Sequence, residues 1–259
     1  IVVKAVAEAL QSGPRYDVEY RVVRPNGEVR FVHSQGDVMW DESGRPRRMF
    51  GSVQDITERK QAEQRLVAQH TVTQILAQAA TLQEATTKIL QAVCKCLVWD
   101  VGALWSLDKE AGVLRCVEVW HKESIEVPEF EATSRETTFI PGIGLPGRVW
   151  FSREPMYIPD VVRDANFPRA PIAAREVLHA AFGFPILLGG EVLGVMEFFS
   201  YEIRQPDQDL LDMMATIGSQ IGQFIERKRA ENALHHAQME LAHVTRVATL
   251  GEMTASIAH

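Results

Sequence analysis

The chain has 259 residues, more than one compact core of ordinary size holds and enough for about two. With 46% hydrophobic and 24% charged residues it has the composition of a folded soluble protein, which excludes wholesale disorder. A formal charge of −7, with no basic cluster standing clear of acidic neighbours, excludes a nucleic-acid surface. Apolar runs such as Phe182–Leu188 fall far short of a membrane span, and no signal peptide is visible. Because the first residue is Ile1, the sequence reads as a piece of a longer protein, with room for a membrane anchor upstream. The three cysteines, Cys94, Cys96 and Cys116, are too few and odd in number for a disulfide framework and point to a reducing cytoplasm. Cys94 and Cys96 are two apart in a helical pattern and face apart, so they read as structural thiols, and no metal site is expected.

In chain order, a helix end leads into Tyr16–Val23, where Tyr16, Val18, Tyr20 and Val22 alternate as in a half-buried strand. Pro25-Asn26-Gly27 supplies a tight turn before a second strand, Val29–Trp40. A turn around Gly44 precedes a third, Arg48–Asp55. At Asp55-Ile56-Thr57-Glu58-Arg59-Lys60 the pattern becomes a charged helix. Thr71–Leu97 reads as helical from Val72, Ile75, Leu76 and Ala79, then Ile89, Val93 and Leu97. Val101–Leu107 and Val113–Trp120 form a hairpin about Gly112. A polar loop including Thr133–Thr138 then leads to the glycine-rich run at 141–150, a short strand Met156–Ile158 and a helix over Ile172–His179. Phe182–Leu188 and Val192–Ser200 form a second hairpin at Gly189-Gly190. Gln205-Pro206-Asp207 opens a long helix, with Pro near its first turn and acids complementing its dipole.

The string YRVVRPNGEVRFVHSQGDVMWDESGRPRRMFGSVQDITERKQAEQRL resembles the C-terminal half of a PAS domain, with Asp55, Ile56 and Thr57 as the hinge into a signalling helix. Only half of such a domain is present, so no PAS ligand follows. GIGLPGRVWFSREPMYIPDV, FGFPILLGGEVLGVMEFFS and PDQDLLDMMATIGSQIGQFIERKRAE resemble GAF domains of bacterial signalling kinases. The implied fold class is α+β: a central antiparallel sheet flanked by helices, preceded by a partial PAS sheet, with coiled-coil-like signalling helices. The implied organisation is a half PAS domain at 1–57, a helical linker at 58–70, a GAF domain at 71–228 and a signalling helix at 229–259.

Relatives of this kind include haem-, bilin- and cyclic-nucleotide-binding members and members without a ligand. Bilin attachment needs a cysteine in NFPRAPIAAREVLHAAFGF, which has none, and the cyclic-nucleotide pattern is not recognisable. His179 is the residue placed to ligate haem, with an ordinary hydrogen-bonded histidine as the alternative. Trp105, Trp120, Phe139, Tyr157 and Phe182 are the aromatic residues expected around a small-molecule pocket. Glu197, Asp160 and Asp164 read as single acids without partners. Gly142, Gly144 and Gly147 spell a dinucleotide fingerprint, but no buried strand is expected just upstream and Pro146 removes an N–H that phosphate binding would use.

From Ala230 a heptad runs through Leu234, Leu241, Ala248 and Ala255 at one seam position and Ala237, Val244, Gly251 and Ala258 at the other. Met214, Ile217, Ile221 and Phe224 keep a different phase, so the register changes near Arg227. ELAHVTRVATLGEMTASIAH resembles the start of the histidine-kinase dimerisation helix, and the match makes His259 the phosphoacceptor, its imidazole attacking the γ-phosphorus of ATP. The expectation is the sensory and dimerisation region of a cytoplasmic-side two-component sensor kinase. It is a homodimer whose parent uses ATP and passes phosphate to the receiver domain of a response regulator. No ATP site is visible, so this segment should be inactive alone. The alternatives are a non-catalytic GAF scaffold and a haem- or redox-sensing GAF domain.

Overall fold

The computed structural model describes residues 2–12, 15–25, 29–204 and 207–257. A helix α1 (Val2–Ser12) precedes the antiparallel strands β1 (Tyr16–Val23), β2 (Val29–Trp40) and β3 (Pro46–Asp55), in the order β1-β2-β3. The expected three-stranded meander is present. The Asp41 carboxylate fixes the second turn by accepting the Ser43 and Arg45 N–H groups (both 2.9 Å), and Gly44 takes φ +72°. Asn26 and Gly27 of the first turn lie outside the described residues.

The Asp55-Ile56-Thr57 hinge is fastened to the sheet as the chain leaves it. The Asp55 carboxylate accepts the Thr57 N–H (2.9 Å), and the Phe31 N–H of β2 donates to the Thr57 hydroxyl (2.9 Å). Glu19 of β1 reaches Arg59 and Lys60, each at 2.6 Å, so the first turn of helix α2 (Thr57–Gln78) is tethered to the strands. The predicted single helix over 71–97 is interrupted. Helix α2 ends at Gln78, Ala79 is extended, and helix α3 (Leu82–Leu97) starts anew. The cause is a capping pair: the Glu84 N–H donates to the Thr81 hydroxyl (3.2 Å) while its carboxylate accepts the Ala80 N–H (3.0 Å).

The larger sheet joins β4 (Val101–Asp108), β5 (Val113–His121), β6 (Thr138–Phe139), β7 (Met156–Ile158), β8 (Ala180–Leu188) and β9 (Glu191–Ser200) in the order β6-β5-β4-β9-β8-β7, with every pairing antiparallel. It is the expected α+β architecture. One face is packed by α2, α3 and α7 (Gln208–Ile257), through residues such as Val72, Val93, Ile217 and Phe198. The opposite face is packed by α4 (Pro128–Glu136), α5 (Gly144–Ser152) and α6 (Ala170–Arg175). Besides the break between α2 and α3, and strand β6 where no strand was expected, two segments differ from the sequence reading. The stretch read as a polar loop contains α4, started by Pro128 at its first position with Glu129 and Glu131 in the first turn. Helix α6 stops at Arg175, because Val177 turns left-handed at φ +59° before β8.

Helix α7 begins at the Asp207 carboxylate, which accepts the Leu210 N–H (3.0 Å); Gln205 and Pro206 lie outside the described residues. It runs 50 residues without a break. Among the described residues no helix is long and apolar enough to cross a membrane. Its approach to β8 depends on two glycines one turn apart. A Cβ on Gly218 would sit 2.1 Å from the Pro185 carbonyl oxygen, and one on Gly222 would sit 2.0 Å from that of Leu187.

Alanine at either position would gain about 1 kcal/mol of helix propensity. It would also push α7 off the backbone of β8, and a backbone cannot yield as a flexible side chain does. Overpacking of this kind costs about 1–3 kcal/mol or more, so the clash wins. Gly218→Ala and Gly222→Ala should each lower the melting temperature by about 2–6 °C in a thermal scan. An unchanged or raised melting temperature would contradict the packing described.

Candidate functional site

Strand β9, Glu191–Ser200, is buried on both faces from Gly194 onward, so Glu197, the one acid in that buried stretch, needs a cation. Arg169, on the loop just before α6, supplies it. Its Nη2 donates to both Glu197 oxygens (2.7 and 2.8 Å) and its Nη1 to the Ser134 hydroxyl of α4 (2.8 Å). The Trp105 indole N–H of β4 donates to the same carboxylate (2.8 Å). Arg169 is 1% exposed and Glu197 fully buried.

Five rings surround the guanidinium carbon. The Phe130 centroid lies at 4.7 Å, those of Trp105, Phe139 and Phe167 at 5.2 Å, and that of Phe199 at 5.4 Å. Trp105 meets Phe139 edge-on, as Phe130 and Phe167 meet Phe199. The result is a closed aromatic chamber with one carboxylate and one hydroxyl in its wall. Burial pushes the Glu197 carboxyl above the ordinary range, opposed by the Arg169 guanidinium and the Trp105 N–H. The Arg169 Nε is buried without a hydrogen-bond partner among the described residues.

The glycine-rich loop borders this chamber. Gly142 and Gly144 have φ of +85° and +65°, and a Cβ on Gly144 would fall 2.5 Å from the Phe139 ring. A Cβ on Gly147 would meet the Ile140 carbonyl at 2.2 Å. Asn166 holds the loop by accepting the Gly144 N–H (3.1 Å) and donating to the Gly142 carbonyl (2.9 Å). The Gly142 and Gly147 N–H groups bond to Gly147 and Ile143 carbonyls. The glycines therefore serve close packing, and their N–H groups are consumed within the protein.

The six residues expected around one pocket do not converge. Trp105 and Phe139 belong to the chamber. Phe182 lies on the other face, stacked on Phe198 and edge-on to Trp99. Tyr157 and Trp120 pack against that same cluster, and the buried Tyr157 hydroxyl is pushed up by desolvation. His179 sits at the entry to β8, its Nδ1 3.0 Å from the Asp160 carboxylate, with its backbone bonded to Val161 and Ser200. His259 lies outside the described residues, and so do the side chains of the seam from Leu241 onward.

The three acids read as partnerless are all paired: Glu197 with Arg169, Asp160 with His179, and Asp164 with Arg148 at 3.1 Å. A glutamate inside the apolar run VLGVMEFFS was the available signal for a buried ion pair. Which cation answers it, 28 residues away, was not readable from spacing. Among the described residues no group of three or more His, Cys, Asp and Glu side chains is gathered for a metal ion.

Comparisons with known proteins agree with this architecture. The GAF domain family profile matches residues 79–226, and the PAS fold profile matches residues 1–53. A protein named methyl sulfide methyltransferase-associated sensor from Methanosarcina acetivorans is 25% identical over 230 residues; the match covers 86% of this chain but only 22% of that protein. Among solved structures, the GAF domain of a phosphoenolpyruvate-protein phosphotransferase from Coxiella burnetii superposes with a TM-score of 0.57 at 22% identity, covering 66% of this chain and 98% of the other. The nlh2 GAF domain of A. aeolicus superposes at 0.52 with 22% identity, covering 64% and 98%. These two likenesses concern the fold.

Burial also governs the thiols. It pushes Cys116 up to about 11 and Cys94 up further, with Cys94 fully enclosed. The thiolate is the reactive form, so at pH 7.5 Cys116 should react with iodoacetamide roughly a hundredfold more slowly than an unperturbed thiol. Cys94 should label only after denaturation. Peptide mass spectrometry of timed labelling checks both, and rapid modification of either in the native protein would contradict the burial.

Proposed function

Since the chain belongs to the GAF domain family, through a GAF domain at 79–226 that follows a PAS-type sheet, we propose that this PAS–GAF sensory module is the input and dimerisation region of a two-component histidine kinase. The observation that carries the reading is the pairing of α2 with α7. The two helices run in parallel on one face of the sheet and are pinned at both ends. Arg65 of α2 donates to Asp207 (2.7 Å) and Asp209 (2.9 Å) at the start of α7. Further along, Arg227 of α7 donates to the Leu76 carbonyl at the end of α2 (2.9 Å). Between the pins, Ala68, Val72 and Leu76 are buried on α2, as are Met214, Ile217, Ile221 and Phe224 on α7.

A shift at the Asp55–Thr57 hinge thus reaches α7 through a rigid contact as well as through the GAF core. Beyond Arg227 the helix leaves the core: Leu234 is 61% and Met239 56% exposed, while Leu66 and Val67 of α2 are also exposed. Those apolar side chains suit a second copy of the chain in parallel, with the heptad phase taking over where the GAF packing ends. In the parent protein His259, which lies past the described residues, accepts the γ-phosphoryl group of ATP bound by a further domain, and passes it to the receiver domain of a response regulator. The named relative is itself a sensor, which supports the sensory part of the reading.

Light scattering at tens of micromolar should give a dimer mass, and Leu241→Asp should shift it toward monomer, because a charge would be buried in the seam. A monomer mass for the unaltered chain would sink the dimer. Full-length protein incubated with radiolabelled ATP should acquire an acid-labile, base-stable label. His259→Gln should abolish that label without changing the melting temperature, and persistence of the label would reassign the phosphoacceptor.

A further inference from the structure

Helix α7 carries two stripes, and the GAF core uses only one of them. Met214, Ile217, Ile221 and Phe224 are buried in that core. Gln220, Gln223 and Arg227 keep the same 3-and-4 spacing on an adjacent side, and the count runs on unbroken through Ala230, Leu234 and Ala237. The heptad phase that takes over past Arg227 is thus already present beside the core, in polar form. Helix α2 repeats the pattern in Leu66, His70, Thr73 and Ala77, all of them exposed.

The two stripes border one groove of about 390 Å³, lined by Thr73 and Ala77 of α2 and by Gln220, Gln223, Phe224 and Arg227 of α7. Gln220 has a buried Oε1 without a hydrogen-bond partner among the described residues. An amide oxygen left bare costs the desolvation of that group, so the groove of a single chain is incomplete. The charge of Arg227 is already answered. Its Nη2 donates to the Leu76 carbonyl (2.9 Å), its guanidinium carbon stands 5.3 Å from the Phe224 centroid, and Glu231 lies 3.9 Å from its Nε.

We propose that this groove is closed by the same groove of a second copy of the chain, with a glutamine amide of that copy donating to the Gln220 Oε1. The proposal rests on the dimer reading above and deepens it. The contact runs back from the helix past Arg227 along both α2 and α7, as a bundle of four helices. Three features select a second copy as the occupant. The polar stripe is continuous with the seam residues Ala230, Leu234 and Ala237. Both helices of the parallel pair carry such a stripe, so a two-fold axis along α7 offers each copy the pattern it presents. Glutamine is donor and acceptor at once, so identical residues meeting across that axis satisfy one another. Polar seam residues fix register at a cost in stability, which Leu234 offsets further along the helix.

The test is disulfide crosslinking of the full 259-residue chain under mild oxidation with diamide, read on non-reducing gels and assigned by peptide mass spectrometry. Gln223→Cys puts a thiol on the groove stripe, Ala230→Cys on the seam past the core, and Arg229→Cys off both. All three positions are exposed, so the fold tolerates the changes. Gln223→Cys should link the two copies as fully as Ala230→Cys, and Arg229→Cys about tenfold less, because a disulfide needs close and facing Cβ atoms. Sedimentation equilibrium supplies a second readout. Gln220→Glu, which sets two carboxylates facing in the groove, should raise the dimer dissociation constant by about tenfold or more, and Gln220→Leu should not raise it.

Crosslinking at Ala230→Cys without crosslinking at Gln223→Cys would overturn the proposal and leave dimerisation past the core standing. So would an unchanged dissociation constant in Gln220→Glu. A monomer mass with no crosslink at either position would remove the dimer reading as well.

Discussion

Gly218 and Gly222 let α7 lie so close to β8 that an added methyl group on either would enter the strand's carbonyl oxygens. That contact makes one helix both a wall of the GAF core and the path out of it. Helix α2 completes the wall. Its buried Ala68, Val72 and Leu76 belong to the same apolar cluster as Met214, Ile217 and Ile221 of α7, and Arg65 and Arg227 set the two helices in register. Exposed ion pairs contribute little to stability. Arg65, however, is only 15% exposed and grips the capping residue Asp207, so its geometry fixes where α7 starts. Stability here comes from burial of the apolar stripe, and the charged groups choose the alignment.

The opposite face of the same sheet is organised around charge. Three aromatic contributors to the chamber come from three elements, Trp105 from β4, Phe130 from α4 and Phe139 from β6, and each points at one guanidinium. The glycine loop exists in this form because Phe139 occupies the space where a Gly144 side chain would be. Asn166 then ties that loop to the segment carrying Phe167 and Arg169. The cation, its cage and the loop are therefore one unit, assembled from parts of the chain far apart in sequence.

That dispersion explains what could be read in advance. The strands other than β6, the hairpin at Gly189-Gly190, the long last helix and the α+β class were legible, because periodicity and turn residues act locally. The break between α2 and α3 was also written locally, in Thr81-x-x-Glu84, but the apolar spacing on either side concealed it. Helix α4 was hidden by its polar composition, since it buries only Phe130 and Ser134. The aromatic residues expected around one pocket are not gathered into one, because strand alternation sends Phe182 and Trp105 to opposite faces. A list compiled by residue type could not sort them. The Arg169–Glu197 pair was invisible as a pair, because no local rule links a loop arginine to a strand glutamate.

The two faces communicate through strands rather than through the helices that cover them. Glu197 on β9 faces the chamber, while its neighbours Met196 and Phe198 face α3 and α7. Successive side chains of a strand point to opposite faces, so Met196 and Phe198 are the residues through which any change at Glu197 would reach the other side. The irregular pairing between β8 and β9 lies at Ile186/Leu187, away from Glu197, which pairs with Gly183. Around Gly183 the ladder is regular, and a displacement there has no local slack to consume it. The neighbours of Gly183, Phe182 and Phe184, are two of the side chains on the helix-packed face. The buried charges on one side of the sheet and the packing beneath α7 on the other are thus carried by the same two strands.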